Sequence, residues 1–327
     1  MIYNTRGYKL HFSAQEKGTI CGREGYNRPV MSFAQFIYTE VLKPKPLKAL
    51  TNAILLRIIP DKIQIGPATL YLDPCDPVVS GALTLRVYEL SEQALFAKYL
   101  HGDMTLVDIG ANMGLYTIVS MHHLDAGGRI VAFEPFPQTY EILQKNVATN
   151  QTDGRACPRV DALNLAATSE PARMELHLNP ENRADNRMYR GTYQGKLEDW
   201  ETVPVEGRPV DNVLAELGIQ EVNFVKIDIQ GYEQKAISGF QKTLARSQNV
   251  ILLSEFWPKG LQEAGGSATE YLQMLTDLGF TLYTLNEKPR GTVTPLEDWQ
   301  ALIAHLPGRK YTDIVGVKGY DLSRDTD

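Results

Sequence analysis

Short apolar runs alternate with amphipathic segments along most of this chain. The apolar runs predict strands at Met104–Ile109, Arg129–Phe133, Arg159–Ala166, Met174–Leu178, Thr202–Val205, Asn223–Ile229, Asn249–Phe256, Thr281–Leu285 and Asp313–Val317. The amphipathic segments predict helices at Tyr88–Leu100, Gly114–His122, Gln138–Thr149, Val210–Leu217, Tyr232–Leu244 and Thr269–Leu278. This alternation indicates an α/β fold with a mostly parallel sheet, which binds ligands at the carboxyl ends of its strands.

Two regions depart from the alternation and define the expected domain organisation. Residues 168–205 contain two of the predicted strands around a polar stretch, so we expect them to form an insertion. Residues 1–80 show little sustained periodicity and are expected to be an N-terminal extension of a domain at residues 81–327. The extension is basic, since residues 1–60 carry a net charge of +6 and the rest of the chain −12.

Composition and charge exclude several classes of protein. The chain has 327 residues, of which 43% are hydrophobic and 22% charged, as in globular proteins and unlike collagen or disordered chains. Its net charge of −6 argues against a general nucleic-acid binder. Three widely spaced cysteines disfavour a disulfide framework or a zinc site and favour a reducing cytoplasm. The apolar runs are too short to predict a membrane span, and no signal-peptide pattern opens the chain.

The turn after the first regular strand is the main candidate site. Asp108 ends this strand, and Gly110 and Gly114 flank Asn112 in the turn that follows. The glycine spacing is not that of dinucleotide enzymes, and Asp108 would repel a pyrophosphate. A carboxylate here suits a cationic ligand such as S-adenosylmethionine, which has a sulfonium and an ammonium. The alternative is a structural turn with a solvated aspartate.

The next two strands end in residues that suit a nucleoside. Glu134, followed by Pro135, can accept hydrogen bonds from both hydroxyls of a ribose, although it could also cap the following helix. Leu165 and Ala166 end the third strand and are expected to form a wall for the adenine ring.

The fourth and fifth strands supply the candidate catalytic residues. Lys226 and Asp228 lie two residues apart on one face, Glu233 begins the next helix, and Glu255 ends the fifth strand. A desolvated carboxylate with a raised pKa could remove the proton of an acceptor hydroxyl during methyl transfer. A structural ion pair for Lys226 and Asp228, and a helix-stabilising role for Glu233, are equally open.

Histidine and metal chemistry are less favoured. All six histidines lie away from the predicted strand ends, and His177 in the insertion is the reserve candidate for a base. Three acids could also hold a divalent metal, but no spacing specifies such a site, so no metal is predicted.

Three segments in this order resemble the FkbM family of S-adenosylmethionine-dependent methyltransferases. They are Val107–Gly114, Phe133–Pro135 and Lys226–Glu233, and the similarity covers roughly residues 80–290. The resemblance implies a class I methyltransferase, Rossmann-like fold, whose seven-stranded sheet has an antiparallel last strand. It also implies S-adenosylmethionine as cofactor and O-methylation, typically of sugar or polyketide hydroxyls.

Matched by position, the resemblance and the strand ends give one set of candidate cofactor-binding residues. The set is Glu89, Asp108, Gly110, Ala111, Asn112, Gly114, Tyr116, Thr117, Glu134, Pro135, Leu165, Ala166 and Asp228. The chain departs from the family pattern at Tyr232, where a small residue is commoner, and in residues 1–80, which have no recognised counterpart.

The leading interpretation is an O-methyltransferase of a small-molecule or glycosidic hydroxyl. The insertion and the extension would shape the acceptor entrance, unless the extension forms a subunit interface such as that of a homodimer. Arginines of the insertion could grip an acidic acceptor or belong to a solvated loop: Arg183, Arg187 and Arg190. A nucleic-acid methyltransferase is disfavoured by the acidic body, and a non-catalytic binding protein by the intact Asp108, Glu134 and Asp228.

Overall fold

The computed structural model describes residues 57, 59–151, 156–180, 182–193, 196–197, 199–320 and 322. The predictions for the basic residues at the N-terminus therefore lie mostly outside the described residues. In the described ranges, no helix is long and apolar enough to cross a membrane.

Helices and strands alternate along the described chain. The helices are α1 (Val79–Thr84), α2 (Leu90–Tyr99), α3 (Leu115–Ser120), α4 (Pro137–Gln151), α5 (Val210–Glu216), α6 (Glu233–Ser238), α7 (Gln241–Arg246), α8 (Pro258–Glu263), α9 (Ala268–Asp277) and α10 (Trp299–His305). The strands are β1 (Lys62–Ile65), β2 (Ala68–Tyr71), β3 (Thr105–Ile109), β4 (Arg129–Phe133), β5 (Arg159–Leu163), β6 (Ala166–Ala167), β7 (Ala172–His177), β8 (Thr192–Tyr193), β9 (Lys196–Leu197), β10 (Thr202–Arg208), β11 (Phe224–Ile227), β12 (Val250–Phe256), β13 (Thr281–Leu285), β14 (Val293–Pro295) and β15 (Thr312–Lys318).

The central sheet confirms the predicted class I methyltransferase topology. Its order is β14-β13-β15-β12-β11-β3-β4-β5, and β12, β11, β3, β4 and β5 are mutually parallel. The last strand, β15, runs antiparallel between β12 and β13, as predicted. The sheet has one strand more than the seven expected, because the short β14 pairs with the edge of β13.

The strands in the middle of the sheet are apolar along their whole length because both of their faces are covered. Val225 and Leu252 pack into the hydrophobic cluster on one face, and Phe224 and Leu253 into the cluster on the other. All four are at most 1% exposed. This burial fixes the register of the strands, and so it fixes which polar residues emerge at their carboxyl ends.

Two predicted elements are interrupted. The helix predicted for Tyr232–Leu244 is divided into α6 and α7 at Gly239, where a Cβ would lie 2.0 Å from the carbonyl oxygen of Thr168. The strand predicted for Arg159–Ala166 ends at Leu163, after which β6 leaves the central sheet to pair with β10. In both places tertiary contacts with the insertion override the local pattern.

The insertion forms a small sheet of its own in the order β6-β10-β7. The two strands predicted there correspond to β7 and β10, which pair antiparallel. Between them, β8 and β9 form a short antiparallel hairpin.

The hairpin of β1 and β2 docks on α4 through two asparagine side chains. The Asn146 amide accepts the N–H of Tyr71 (2.6 Å) and donates to the carbonyl oxygens of Tyr71 (3.0 Å) and Met113 (2.7 Å). The Asn150 amide binds both backbone groups of Thr69 in the same way. These amides satisfy the backbone polar groups of β2, and Asn146 also links the hairpin to the turn after β3.

We expect Asn146→Ala to destabilise the protein by about 2–4 kcal/mol, because Asn146 is fully buried and its loss leaves backbone groups of Tyr71 and Met113 without partners. Urea denaturation measures the change in the free energy of unfolding. Glu141→Ala, at an exposed position of the same helix, is the control. Equal stabilities of the two variants would contradict this role.

Candidate active site

Asp108 lies at the carboxyl end of β3, completely buried, with one oxygen engaged and one free of protein partners. Its Oδ2 accepts a hydrogen bond from the Thr117 hydroxyl at 2.7 Å, whereas its Oδ1 has no partner among the described residues. Burial raises the pKa of Asp108, although Lys226 and Thr117 act in the opposite direction. An unpaired buried carboxylate oxygen is costly unless a ligand supplies a donor or a positive charge.

The turn after β3 is held by contacts with two neighbouring strands. The N–H groups of Gly110 and Ala111 both donate to the carbonyl oxygen of Phe133, at 3.0 and 2.9 Å. A Cβ at Gly110 would lie 2.0 Å from the carbonyl oxygen of Asp228, so only glycine lets the turns after β3 and β11 approach this closely. The glycine thus brings two parts of the candidate site together.

Glu134 is held in place by backbone donors from two turns. Its Oε2 accepts the N–H of Asn112 and its Oε1 the N–H of Phe136, both at 2.9 Å. Asn112 has a φ of 52°, and this left-handed conformation aims its N–H at the carboxylate. Burial raises the pKa of Glu134 to about 7, although both backbone donors lower it. Each carboxylate oxygen keeps a second lone pair for a ligand hydroxyl.

A small apolar cavity of about 20 Å³ lies beside Glu134, between Phe133 and Pro135. Predicted residues form part of its lining: Gly110, Pro135, Leu165 and Ala166. Met188 of the insertion and Tyr232 also line it. This apolar lining suits contact with an aromatic ring such as adenine.

Lys226 occupies the centre of the acidic residues. Its Nζ lies 3.2 Å from Asp228 Oδ2 and 4.8 Å from the centre of the Tyr116 ring. The Tyr116 hydroxyl in turn donates to Glu89 Oε2 at 2.6 Å. Burial alone would lower the pKa of Lys226, but the charges of Asp228, Glu89 and Asp108 raise it well above its usual value. Lys226 therefore remains an ammonium ion and serves as a counterion.

Glu89 joins this group from the N-cap position of α2. It has a φ of 42°, which is uncommon for a residue with a side chain. Burial raises its pKa to about 7, with Lys226 acting in the opposite direction. The structure thus places the predicted Glu89, Tyr116 and Asp228 around one ammonium group.

The predicted acids of the fourth and fifth strands differ in their hydrogen-bond partners. Asp228 and Glu255 are bridged by Gln230, whose Nε2 lies 3.0 Å from Asp228 Oδ1 and 3.2 Å from both carboxylate oxygens of Glu255. Burial raises the pKa of Glu255 well above its usual value, and the charges of Asp228 and Glu233 add to the effect. Sequence reasoning did not single out Gln230, because nothing in its local pattern shows what its side chain reaches.

Glu233 is completely buried and faces its own turn. Its Oε1 accepts the N–H groups of Ile229 (3.1 Å) and Gly231 (3.0 Å), while its Oε2 has no partner among the described residues. Burial raises its pKa to about 7, and the backbone donors lower it. These contacts give Glu233 a role in shaping the turn after β11.

Two further acids lie near this edge and were missed by sequence reasoning. Glu92 in the first turn of α2 and Asp313 on β15 share a hydrogen bond between their side chains. Asp313 is the cross-strand neighbour of Glu255. Two carboxyl groups can share a hydrogen bond only when one holds a proton, and burial accordingly raises the pKa of both. Only the tertiary pairing of β12 with β15 brings these residues together.

The arginines and the histidine of the insertion have structural contacts. Ion pairs join Arg183 to Asp73, Arg187 to Asp185 and Arg190 to Asp199. Arg187 is only 1% exposed, and its guanidinium stacks 4.9 Å from the centre of the Trp257 ring. The backbone of His177 pairs with that of Arg187. These arginines thus bind carboxylates of the chain itself.

The residues at this edge fit S-adenosylmethionine better than a metal ion. The unpaired buried oxygen of Asp108 and the surplus of carboxylates over ammonium groups suit a cationic ligand, and the apolar cavity beside Glu134 suits its nucleoside. Within the part of the chain that the structure describes, no group of three or more His, Cys, Asp or Glu residues could hold a metal.

Comparison with known proteins identifies methyltransferases. A model described as the methyltransferase FkbM domain matches residues 108–282, more than half of the chain. Methyltransferase sdnD of Sordaria araneosa is 27% identical over 54% of this chain and 73% of its own length. The 31-O-demethyl-FK506 methyltransferase FkbM of Streptomyces tacrolimicus is 24% identical over 55% and 74%. A crystal structure of methyltransferase FkbM from Methylobacillus flagellatus aligns with a TM-score of 0.40 and 14% identity over 81% of this chain, which spans 57% of that chain.

The raised pKa of Glu134 predicts that the ligand-free protein loses stability as the pH rises. A carboxyl group whose pKa is about 7 in the folded state and 4.5 when unfolded binds its proton more tightly when folded. Its stabilising contribution is therefore complete below pH 4.5 and is lost as the pH passes 7, by an amount on the order of 3 kcal/mol. Glu134→Gln should remove this dependence of the free energy of unfolding on pH.

The measurement is urea denaturation at pH 5 and pH 8. Glu134→Gln should gain stability relative to the parent protein at pH 8 but not at pH 5, whereas the exposed Glu141→Gln should follow the parent at both values. Parallel behaviour of all three proteins would show that Glu134 ionises without cost.

Proposed function

The chain belongs to the FkbM methyltransferase family, and from this premise we propose that it is an S-adenosylmethionine-dependent O-methyltransferase. The proposed acceptor is a hydroxyl of a sugar, glycoside or polyketide-type small molecule. The observation that carries the proposal is the meeting of Asp108, Glu134 and Asp228 at the carboxyl ends of β3, β4 and β11, beside an apolar cavity. A relative named for 31-O-demethyl-FK506 supports an oxygen acceptor.

Each part of the proposed cofactor has a partner of matching chemistry. The free lone pairs of Glu134 would accept the ribose hydroxyls, and the cavity walls at Pro135 and Leu165 would contact the adenine. Asp108 and Glu89 would face the cationic end of the molecule. When bound, S-adenosylmethionine supplies a methyl group on a positively charged sulfur.

Glu255 is the best candidate for the base among the three acids. The carboxylate of Asp228 is paired with Lys226, and Glu233 is occupied by backbone donors. Glu255 is mostly buried, and burial raises its pKa well above the usual value, so its ionised form accepts a proton readily. A cationic cofactor nearby would lower this pKa toward the working pH.

The surroundings of Glu255 suit a neutral, hydroxylated acceptor. Tyr311 is 61% exposed, and its electrostatic environment includes Glu255 and Asp228. Its ring would provide an apolar surface for an acceptor, while the carboxyl groups would accept hydrogen bonds from its hydroxyls. Phosphate groups of a nucleic acid would be repelled by the same carboxyl groups.

The insertion and the residues before the domain are proposed to shape the acceptor entrance. Met188 reaches the cavity from the insertion, and Arg183 ties the insertion to Asp73.

Cys75 and Cys157 are free thiols, which supports a reducing compartment such as the cytoplasm.

Cofactor binding is tested by calorimetric titration with S-adenosylhomocysteine. The parent protein should bind it, while Asp108→Ala and Glu134→Ala should each weaken binding at least about tenfold through lost hydrogen bonds. The exposed Glu141→Ala should bind like the parent. Absence of binding by the folded parent protein would refute the cofactor assignment.

The base is tested by transfer of a labelled methyl group from S-adenosylmethionine into a small-molecule extract. Glu255→Gln should lower the rate about 100-fold or more, because the proton acceptor is lost. Glu233→Gln keeps the oxygen that accepts the two backbone donors, so it should retain most of the activity, and Glu270→Gln, at an exposed position on α9, should match the parent. Full activity of Glu255→Gln would exclude Glu255 as the base.

A further inference from the structure

Gln230 has a backbone conformation that residues with side chains rarely adopt. Its φ is 55°, in the left-handed region, and glycine would occupy this region at lower energy. The carbonyl oxygen of Gln230 accepts a hydrogen bond from the Tyr189 hydroxyl at 2.6 Å. The N–H groups on either side of the residue, those of Ile229 and Gly231, are held by Glu233. The turn therefore fixes the backbone without any contribution from the Gln230 side chain.

The contacts that fix the backbone of this turn do not account for the position of the Gln230 side chain. Its amide nitrogen donates to Asp228 Oδ1 at 3.0 Å and contacts both oxygens of Glu255 at 3.2 Å. A neutral amide with two N–H donors can serve two carboxyl groups that would otherwise repel each other. Strained residues of this kind cluster where function requires a particular side-chain position.

We propose that Gln230 is a positioning residue, which holds the carboxyl groups of Asp228 and Glu255 together and orients Glu255 toward the acceptor hydroxyl. This inference rests on the proposed function, because it assumes that Glu255 receives the proton. The reaction itself would remain a displacement in which the acceptor oxygen forms a bond to the methyl carbon, the bond from carbon to sulfur breaks, and Glu255 takes the hydroxyl proton.

Loss of the Gln230 amide should make the Glu255 carboxyl group harder to ionise. Several charged or titratable groups surround Glu255 from β11, β12, β15 and neighbouring turns: Lys226, Asp228, Glu233, Tyr311 and Asp313. The charges of Asp228, Glu233 and Asp313 oppose ionisation of Glu255, whereas Lys226 and the Gln230 amide, which donates to the carboxylate, favour it. Without the amide, Glu255 would ionise only at higher pH, and the acidic limb of the pH–rate profile would move upward.

The decisive variant is Gln230→Gly. It removes the side-chain amide, and glycine adopts the same left-handed backbone conformation with less strain. Gln230→Asn retains an amide that is one methylene shorter and tolerates a positive φ. Gln241→Ala, at an exposed position on α7, is the control. A purely structural role predicts that Gln230→Gly is at least as stable and as active as the parent.

We expect Gln230→Gly to bind S-adenosylhomocysteine like the parent, to keep or raise its thermal midpoint, and to shift the acidic limb of kcat upward by about one pH unit. Gln230→Asn should shift it in the same direction, and Gln241→Ala should not. An unchanged pH profile in Gln230→Gly, with cofactor binding retained, would overturn the proposal.

Infrared titration of the carboxyl band supplies a readout that needs no acceptor. The band lost in Glu255→Gln identifies Glu255, and in Gln230→Gly the same band should persist to higher pH than in the parent. If the band moves but no methyl transfer occurs, the linkage between Gln230 and Glu255 stands and the proposed function fails. If the band does not move, the linkage itself is wrong.

Discussion

The buried ammonium group of Lys226 makes the acidic edge of this sheet possible. Asp228 lies 3.2 Å away, and the charges of Asp108 and Glu89 also act on the same nitrogen. Burial raises the pKa of Asp108 and of Glu89, and the charge of Lys226 opposes this effect at both carboxyl groups. One ammonium group stands among several carboxyl groups, so the edge has an excess of acidic groups. Such an excess attracts a cationic ligand.

The position of this ammonium follows from the parallel sheet. Lys226 pairs with Asp108 across β11 and β3, and Leu253 is its neighbour on β12. The apolar residues on both faces of these strands fix the register, so the two charges cannot slip apart without exposing the core. The tight approach at Gly110 then brings the turn after β11 against the turn after β3. Packing of the core and placement of the charges are therefore parts of one constraint.

The sequence could predict the features that are local to each strand and turn. Asp108, Glu134 and Asp228 each follow a recognisable apolar run, and parallel strands must bring such positions to one edge. Gln230 could not be predicted, because its function depends on a left-handed backbone and on a contact with Glu255.

Other features of the fold could not be predicted either, because they depend on contacts between residues that are distant in sequence. Glu92 and Asp313 come from the two ends of the domain and meet only through tertiary packing. The division of the helix at Gly239 depends on Thr168, which is distant in sequence and close in space. The edge strand β14 is only three residues long and carries too little pattern to be recognised.

The surplus of carboxyl groups also bears on the order of events in the proposed reaction. In the proposed reaction, the cationic end of the methyl donor would lie near the unpaired oxygen of Asp108 and near Glu89, so the donor would bind partly through charge. Methyl transfer converts this sulfonium into a neutral thioether. The product would keep the ammonium group of the cofactor but lose the positive charge on sulfur, while Glu255 gains a proton. In the proposed reaction, the charge on sulfur would therefore favour the methyl donor over the product, whereas the contacts to the ammonium and the ribose would be common to both.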